Sequence, residues 1–179
     1  MVSPFSYILK PFDGERYANK RKSGLIVSAN IEDHLFTQRL AEVVATPFAT
    51  TDDTNVKVGD IVVVHHNVFR KFLNEKGNEE DGMSFIRDNI FLASADQMYL
   101  AKTGDEEWRA LSPYAFVSPI KNDDRFTTDM EKSCVGVVEY SALIDKGTVV
   151  SFQPNSEYEF VIDGRKMYRM YNRNICLKL

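Results

Sequence analysis

Cysteine is nearly missing from this chain: only Cys134 and Cys176 occur in 179 residues, both in apolar, strand-like runs and neither in a C-x-x-C pair. Buried, reduced thiols are the expectation. Histidine is almost as rare. His34, His65 and His66 are scattered or adjacent rather than spaced to coordinate from one face, so no metal site is expected. No apolar run approaches the ~20 residues of a membrane span, which argues against a membrane partner. The opening M-V-S-P-F-S-Y-I-L-K has no basic flank before a sustained apolar core, so neither a secretion signal nor an organelle address is read and a cytoplasmic location is expected. With a net charge of −4 and no basic run interleaved with aromatics, a nucleic-acid footprint is lacking too. Catalytic motifs are also absent. There is no phosphate loop, no G-x-G-x-x-G after a strand and no nucleophile elbow. The adjacent carboxylates Asp52-Asp53, Glu79-Glu80-Asp81 and Glu106-Glu107 read as solvated charge. Neither an enzyme nor a cofactor is expected.

What is present is a repeat. S-P-F-S-Y-I (residues 3–8) returns as S-P-Y-A-F-V (residues 112–117), matched in size and polarity throughout. Val43-Val44 then pairs with Val137-Val138, G-D-I-V (59–62) with G-T-V-V (147–150), and residues 91–100 with residues 168–177. The order never breaks while the spacing shrinks stepwise, so the first copy carries extra residues at three places, each between apolar runs. Loops tolerate such length changes and paired strands do not. Hydrophobic residues at 44% and charged residues at 27% give each copy a modest core of its own.

Helical periodicity is missing, and the apolar runs are short, β-branched and aromatic: 7–11, 40–46, 60–65, 90–93 and 98–101, with counterparts in the second copy. An all-β protein of two small tandem barrels with Greek-key order follows, since such barrels manage their edges best. The first domain spans 1–101, a polar linker spans 102–111, interrupted only by Trp108 and Leu111, and the second domain spans 112–179. In the second copy, Y-E-F-V-I (158–162), Asp163-Gly164 and R-K-M-Y-R-M-Y predict a tight hairpin, because Asp-Gly supplies the positive φ the turn needs. The first copy carries a charged detour instead, with its own turn at Asp81-Gly82, which reads as a longer, partly solvated hairpin.

Between the first two strands of copy one lies a loop, residues 12–39, longer than compact domains leave without purpose. Its charged part, E-R-Y-A-N-K-R-K-S (15–23), is not expected to pack and is followed at once by Gly24, Leu25, Ile26 and Val27. These residues could form a short edge strand buried on their own domain, or a docking motif that orders on contact with a partner.

V-K-V-G-D-I-V-V-V (56–64) resembles the V-K-V-G-D-x-V block of the GroES-like co-chaperonins, and S-G-L-I-V (23–27) is similar to the glycine-led aliphatic tripeptide of their mobile loop, with wording very like that of phage-encoded relatives. R-L-A-E-V-V-A (39–45) sits where that family has R-G-E-V-L-A-V, and residues 88–101 and 162–177 both resemble its closing strands. The resemblance implies two GroES-like, partly open barrels whose first and last strands pair with neighbouring subunits in a ring. That ring would cap a GroEL-like chaperonin through a mobile loop carrying Gly24, Leu25, Ile26 and Val27 and so assist ATP-dependent folding. A viral source would place it in the host cytoplasm. The alternative is a structural ring or virion component that uses the barrels for assembly without meeting a chaperonin. Departures from the family are specific. The roof hairpin is shortened to residues 46–55 in copy one and nearly absent at 140–146 in copy two, and the loop of copy two (121–132) has only Phe126 and Met130 as apolar residues. Copy two is therefore expected to serve as scaffold.

Three fully buried aliphatic side chains are worth at most ~5 to 9 kcal/mol, before an ordering cost of ~2 to 5 kcal/mol. One loop alone binds feebly. Several loops on a homo-oligomeric ring gain through effective concentration, giving contacts that are tight yet releasable. A two-domain chain cannot fill a sevenfold ring of domains with whole copies, so two tiers, an even number of domains or a broken register is required.

Overall fold

The computed structural model describes residues 1–17, 21–22, 25–26, 37–50, 53–122 and 130–179. Its sheets are antiparallel throughout, and among these residues the only helical segments are short 3-10 turns at His66–Val68, Ala95–Gln97 and Asn172–Asn174. The chain is all-β. It divides into two compact units, Met1–Glu107 and Trp108–Leu179, with the boundary inside the 102–111 stretch. That stretch is not uniformly polar surface, because Trp108 and Leu111 are buried.

The first unit contains β1 (Tyr7–Pro11), β2 (Arg21–Lys22), β3 (Leu25–Ile26), β4 (Leu40–Ala45), β5 (Ile61–Val64), β6 (Lys71–Leu73), β7 (Glu79–Asp81), β8 (Phe85–Arg87), β9 (Ile90–Ala93) and β10 (Met98–Lys102). Its main sheet runs β8-β9-β1-β4-β5-β10, while β2-β3 and β6-β7 form separate two-stranded ladders. The second unit contains β11 (Arg109–Ala110), β12 (Tyr114–Lys121), β13 (Glu131–Ser141), β14 (Val149–Phe152), β15 (Tyr158–Ile162), β16 (Arg165–Tyr171) and β17 (Ile175–Lys178). Its sheet runs β15-β16-β12-β13-β14-β17. Strand for strand, the two orders are the same.

Register shows the duplication more sharply and corrects the sequence match by one residue. Ile8 lies opposite Ala45 and Leu92, and Phe116 lies opposite Tyr140 and Arg169, so Ile8 corresponds to Phe116 rather than to Val117. Val43 exchanges bonds with the Gly59-Asp60 corner as Val138 does with Gly147-Thr148, so Val43 corresponds to Val138 rather than to Val137. The two slips cancel because β1 pairs with β4. The remaining matches stand: Val62 faces Ala101 as Val150 faces Lys178, and a bulge falls at the same place in both pairs. Pro11 and Pro119 come into line under this register.

The apolar strand positions supply the cores. Ile8, Leu9, Val43, Val62, Phe69, Phe91, Met98 and Leu100 are fully buried in the first unit, where Phe91 meets Phe69 and Phe85 edge to face at ring distances of 4.9 and 5.4 Å. In the second, Ala115, Val117, Val138, Val150, Phe152 and Met170 form one cluster. The last strands differ between copies. β10 is buried along Met98, Tyr99, Leu100 and Ala101, whereas Leu177 on β17 is 61% exposed.

The predicted hairpin of the second unit is present, with Ile162 opposite Arg165 and positive φ at both Asp163 (50°) and Gly164 (74°), the geometry of a type I′ turn. The matching hairpin of the first unit turns at Asp88 (φ 48°) and Asn89 (φ 60°), not at Asp81-Gly82. Both residues tolerate the left-handed region because their short polar side chains bond locally. The detour before it is a second hairpin, β6-β7, that turns over residues 74–78. Cys134 is only half-buried and Cys176 is exposed, so the expected burial of both thiols does not hold.

Candidate functional site

The two ends of the long first-copy loop are tied together before the chain leaves the sheet. Phe12 N–H donates to Leu40 O at 3.0 Å, Gln38 N–H donates to Arg16 O at 2.9 Å, and Tyr17 forms an isolated antiparallel bridge with Thr37. Gln38 closes the corner by accepting from the amides of Arg39 and Leu40 through its side-chain oxygen. The stem therefore extends the β1-β4 pairing by a few residues beyond the sheet, which follows from the hydrogen-bonding demand of any backbone that enters or leaves a buried strand.

Side chains then anchor this stem to the rest of the first unit. The Arg16 guanidinium, with a side chain only 12% exposed, donates through Nε to Phe69 O at 2.9 Å and through Nη1 to Asp81, and lies 4.9 Å from the Phe91 ring centre. The Tyr17 hydroxyl accepts from Lys71 N–H at 2.7 Å, and Asn89 Nδ2 donates to Gly14 O at 2.8 Å. A planar guanidinium suits this position because its fork satisfies a carbonyl and a carboxylate while its face rests on an aromatic ring.

Of the four residues singled out in the sequence, Leu25 and Ile26 form β3, and Gly24 and Val27 lie outside the described residues. β3 pairs with β2 through Arg21 opposite Ile26 and Lys22 opposite Leu25. The aliphatic pair thus belongs to a small ladder built within its own loop and is not a strand of the main sheet. Ser23, like Gly24, lies outside the described residues.

The equivalent corner of the second unit has a different chemistry. Lys121 faces Glu131 and Asn122 N–H donates to Met130 O at 2.8 Å, while Phe126 lies outside the described residues. Met130 is 63% exposed. Beside it, Glu131 accepts from the Tyr168 hydroxyl and pairs with Lys166 Nζ at 2.9 Å, and Lys166 also reaches Glu159 at 3.2 Å. Burial alone would raise the Glu131 carboxyl, but the hydrogen bonds from Tyr168 and Lys166 together outweigh it and hold the group below its ordinary value. Lys166 is held well above its ordinary value by Tyr168 and then Glu131, and burial followed by the Glu131 carboxylate pushes the Tyr168 phenol up. The first copy's corner is knit by the Arg16 guanidinium on a carbonyl and a carboxylate and by the Tyr17 phenol on a backbone amide, the second's by a carboxylate, an ammonium and a phenol joined side chain to side chain.

Sequence reading did not single out Arg16, Tyr17 or the Glu131-Lys166-Tyr168 group, because each is joined to partners far along the chain and no local spacing marks it. Among the described residues no group of three or more His, Cys, Asp and Glu is gathered as a metal site, and no helix is long and apolar enough to cross a membrane. Comparison of the chain with protein-family models and with curated proteins finds no match.

Proposed function

We propose that this chain is a co-chaperonin of two tandem GroES-like barrels, which caps a GroEL-like chaperonin ring through Gly24, Leu25, Ile26 and Val27 and assists ATP-dependent folding. The observation that carries the reading is that Leu25 and Ile26 pair with Arg21 and Lys22 of their own loop and take no part in the main sheet. An aliphatic strand outside the main sheet suits recognition as an extended segment, with its main chain adding hydrogen bonds in a partner's groove. A homo-oligomeric ring presents several such segments at once, and β17 offers an edge for assembly, since β14 is its only strand partner among the described residues and Leu177 is exposed. No cofactor, nucleic acid or membrane enters this scheme.

Replacing Leu25, Ile26 and Val27 together with serine, followed by pull-down on a GroEL-like ring with nucleotide, tests the docking role. Loss of capture supports it and unchanged capture refutes it. A structural ring or virion component would use the same β17 edge, but would bury the aliphatic triplet at a subunit contact. Limited proteolysis separates the two, because a docking segment is cut within 18–36 in the free assembly and a buried one is spared.

A further inference from the structure

The first unit has two elements that the second lacks, and they meet. The long loop leaves between β1 and β4, and the β6-β7 hairpin interrupts the path from β5 to β8, where the second unit passes from β14 to β15 without any such hairpin. The hairpin is well built despite its exposure. Lys71 faces Asp81 and its ammonium pairs with Glu79 at 2.8 Å, while Asn74 closes the turn by accepting from the amides of Lys76 and Asn78 and donating to Glu80. Among the described residues its contacts with the loop stem involve its paired base: Asp81 accepts from Arg16, and Lys71 N–H donates to the Tyr17 hydroxyl.

We infer that the β6-β7 hairpin is a brace that fixes where and in which direction the 18–36 segment leaves the first unit, with Arg16 and Tyr17 as its positioning residues; the effect on docking rests on the function proposed above. A charged, solvent-facing hairpin buries too little apolar surface to be there for the core: β7 is exposed throughout, and Phe72 and Leu73 are 40% and 43% exposed. Its polar links instead reach one place, the turn at Arg16 and Tyr17 at the base of the loop. Fixing that turn narrows the directions the docking strand samples and so raises its effective concentration at a partner. Among the described residues, the corresponding corner of the second unit carries no aliphatic strand and no brace.

The test uses the full chain and the variants Tyr17→Phe and Asp81→Ala, with Asp81→Glu as the conservative rescue. Amide exchange should accelerate by roughly threefold to tenfold at 12–17 and 37–40, the range expected for one lost hydrogen bond, and stay unchanged at 90–93 and 98–102. Asp81→Glu should restore the slow exchange. Unchanged stem exchange, or equal acceleration in the stem and the core, overturns the brace. On a GroEL-like ring with nucleotide, the two variants should dissociate faster by a similar factor, while their melting temperatures fall by no more than the few degrees that one lost hydrogen bond costs. Parent-like dissociation of variants whose stems have loosened overturns the positioning role. If the parent chain itself is not captured, the docking reading fails, and stem exchange alone decides whether the hairpin is a brace.

Discussion

Replacing Gly136 with alanine tests the register of the duplicated sheets in a single methyl group. A Cβ at Gly136 would lie 2.3 Å from Val117 Cγ1 and 2.6 Å from the Ser118 carbonyl oxygen, against an ordinary approach of about 3.5 to 4 Å. Neither neighbour gives way easily. Val117 is fully buried, and the Ser118 oxygen is backbone. The β12-β13 pairing therefore has to open by about 1 Å, an overpacking that costs about 1 to 3 kcal/mol, with the upper half expected because one clash is with main chain. In the first unit the corresponding residue is Ala41, which faces Val62 as Gly136 faces Val150, so that site already holds the methyl. Beside Gly136 the β12-β13 register is irregular, with Cys134 at φ 56°. Trp108, the only tryptophan, is buried and donates to Asp163 of the second unit, so it reports on that unit. At about 4 to 8 °C per kcal/mol for a unit of this size, its thermal transition should fall by roughly 10 to 20 °C in Gly136→Ala. A Gly136→Ala transition within ~2 °C of the parent would refute the close approach and the register derived from it.

Three further outcomes follow from the second unit. Asp163→Ala removes the acceptor that Trp108 Nε1 reaches at 2.8 Å and places a methyl at φ 50°, so about 1 to 3 kcal/mol of stability should be lost, read by denaturant titration of Trp108 emission. Asp163→Asn keeps both an acceptor and the tolerance for positive φ, and should cost less than half as much. Glu131 is held below its ordinary value, so its contribution is present at neutral pH and is lost as pH falls through its folded value. Glu131→Gln should flatten the acid limb of a stability-against-pH curve. Lys166 and Tyr168 are raised, so their contributions are present at neutral pH and fade as pH climbs through their folded values; Tyr168→Phe should flatten the alkaline limb.

Strand content was legible in the sequence because β-branched and aromatic residues cluster in runs of the right length, and β1 and β9 begin and end where those runs do. The duplication was legible as well, but its register was not. Tyr7, Ile8 and Leu9 are all buried, as are Tyr114, Ala115, Phe116 and Val117, so neither strand shows the polar alternation that would have pinned one copy against the other. A one-residue slip keeps a plausible match, and only the strand partners expose it. Asp81-Gly82 looked like a turn because of its composition, yet Asp81 faces Lys71 in a ladder and the tight turn went to Asp88-Asn89. Composition marks residues that can turn, and pairing decides which of them do. At the candidate site, Leu25 and Ile26 stood out by being apolar among charges. Arg16 did not, since its partners Phe69 and Asp81 lie more than fifty residues away in the chain.

Native mass spectrometry of the chain mixed with a GroEL-like ring, with and without a slowly hydrolysed ATP analogue, puts the capping reading to its most direct test. The account predicts a complex of the ring with a whole number of chains that forms only with nucleotide and vanishes when Leu25, Ile26 and Val27 are serine. A chain that assembles on its own but adds no mass to the ring in either nucleotide state would contradict it.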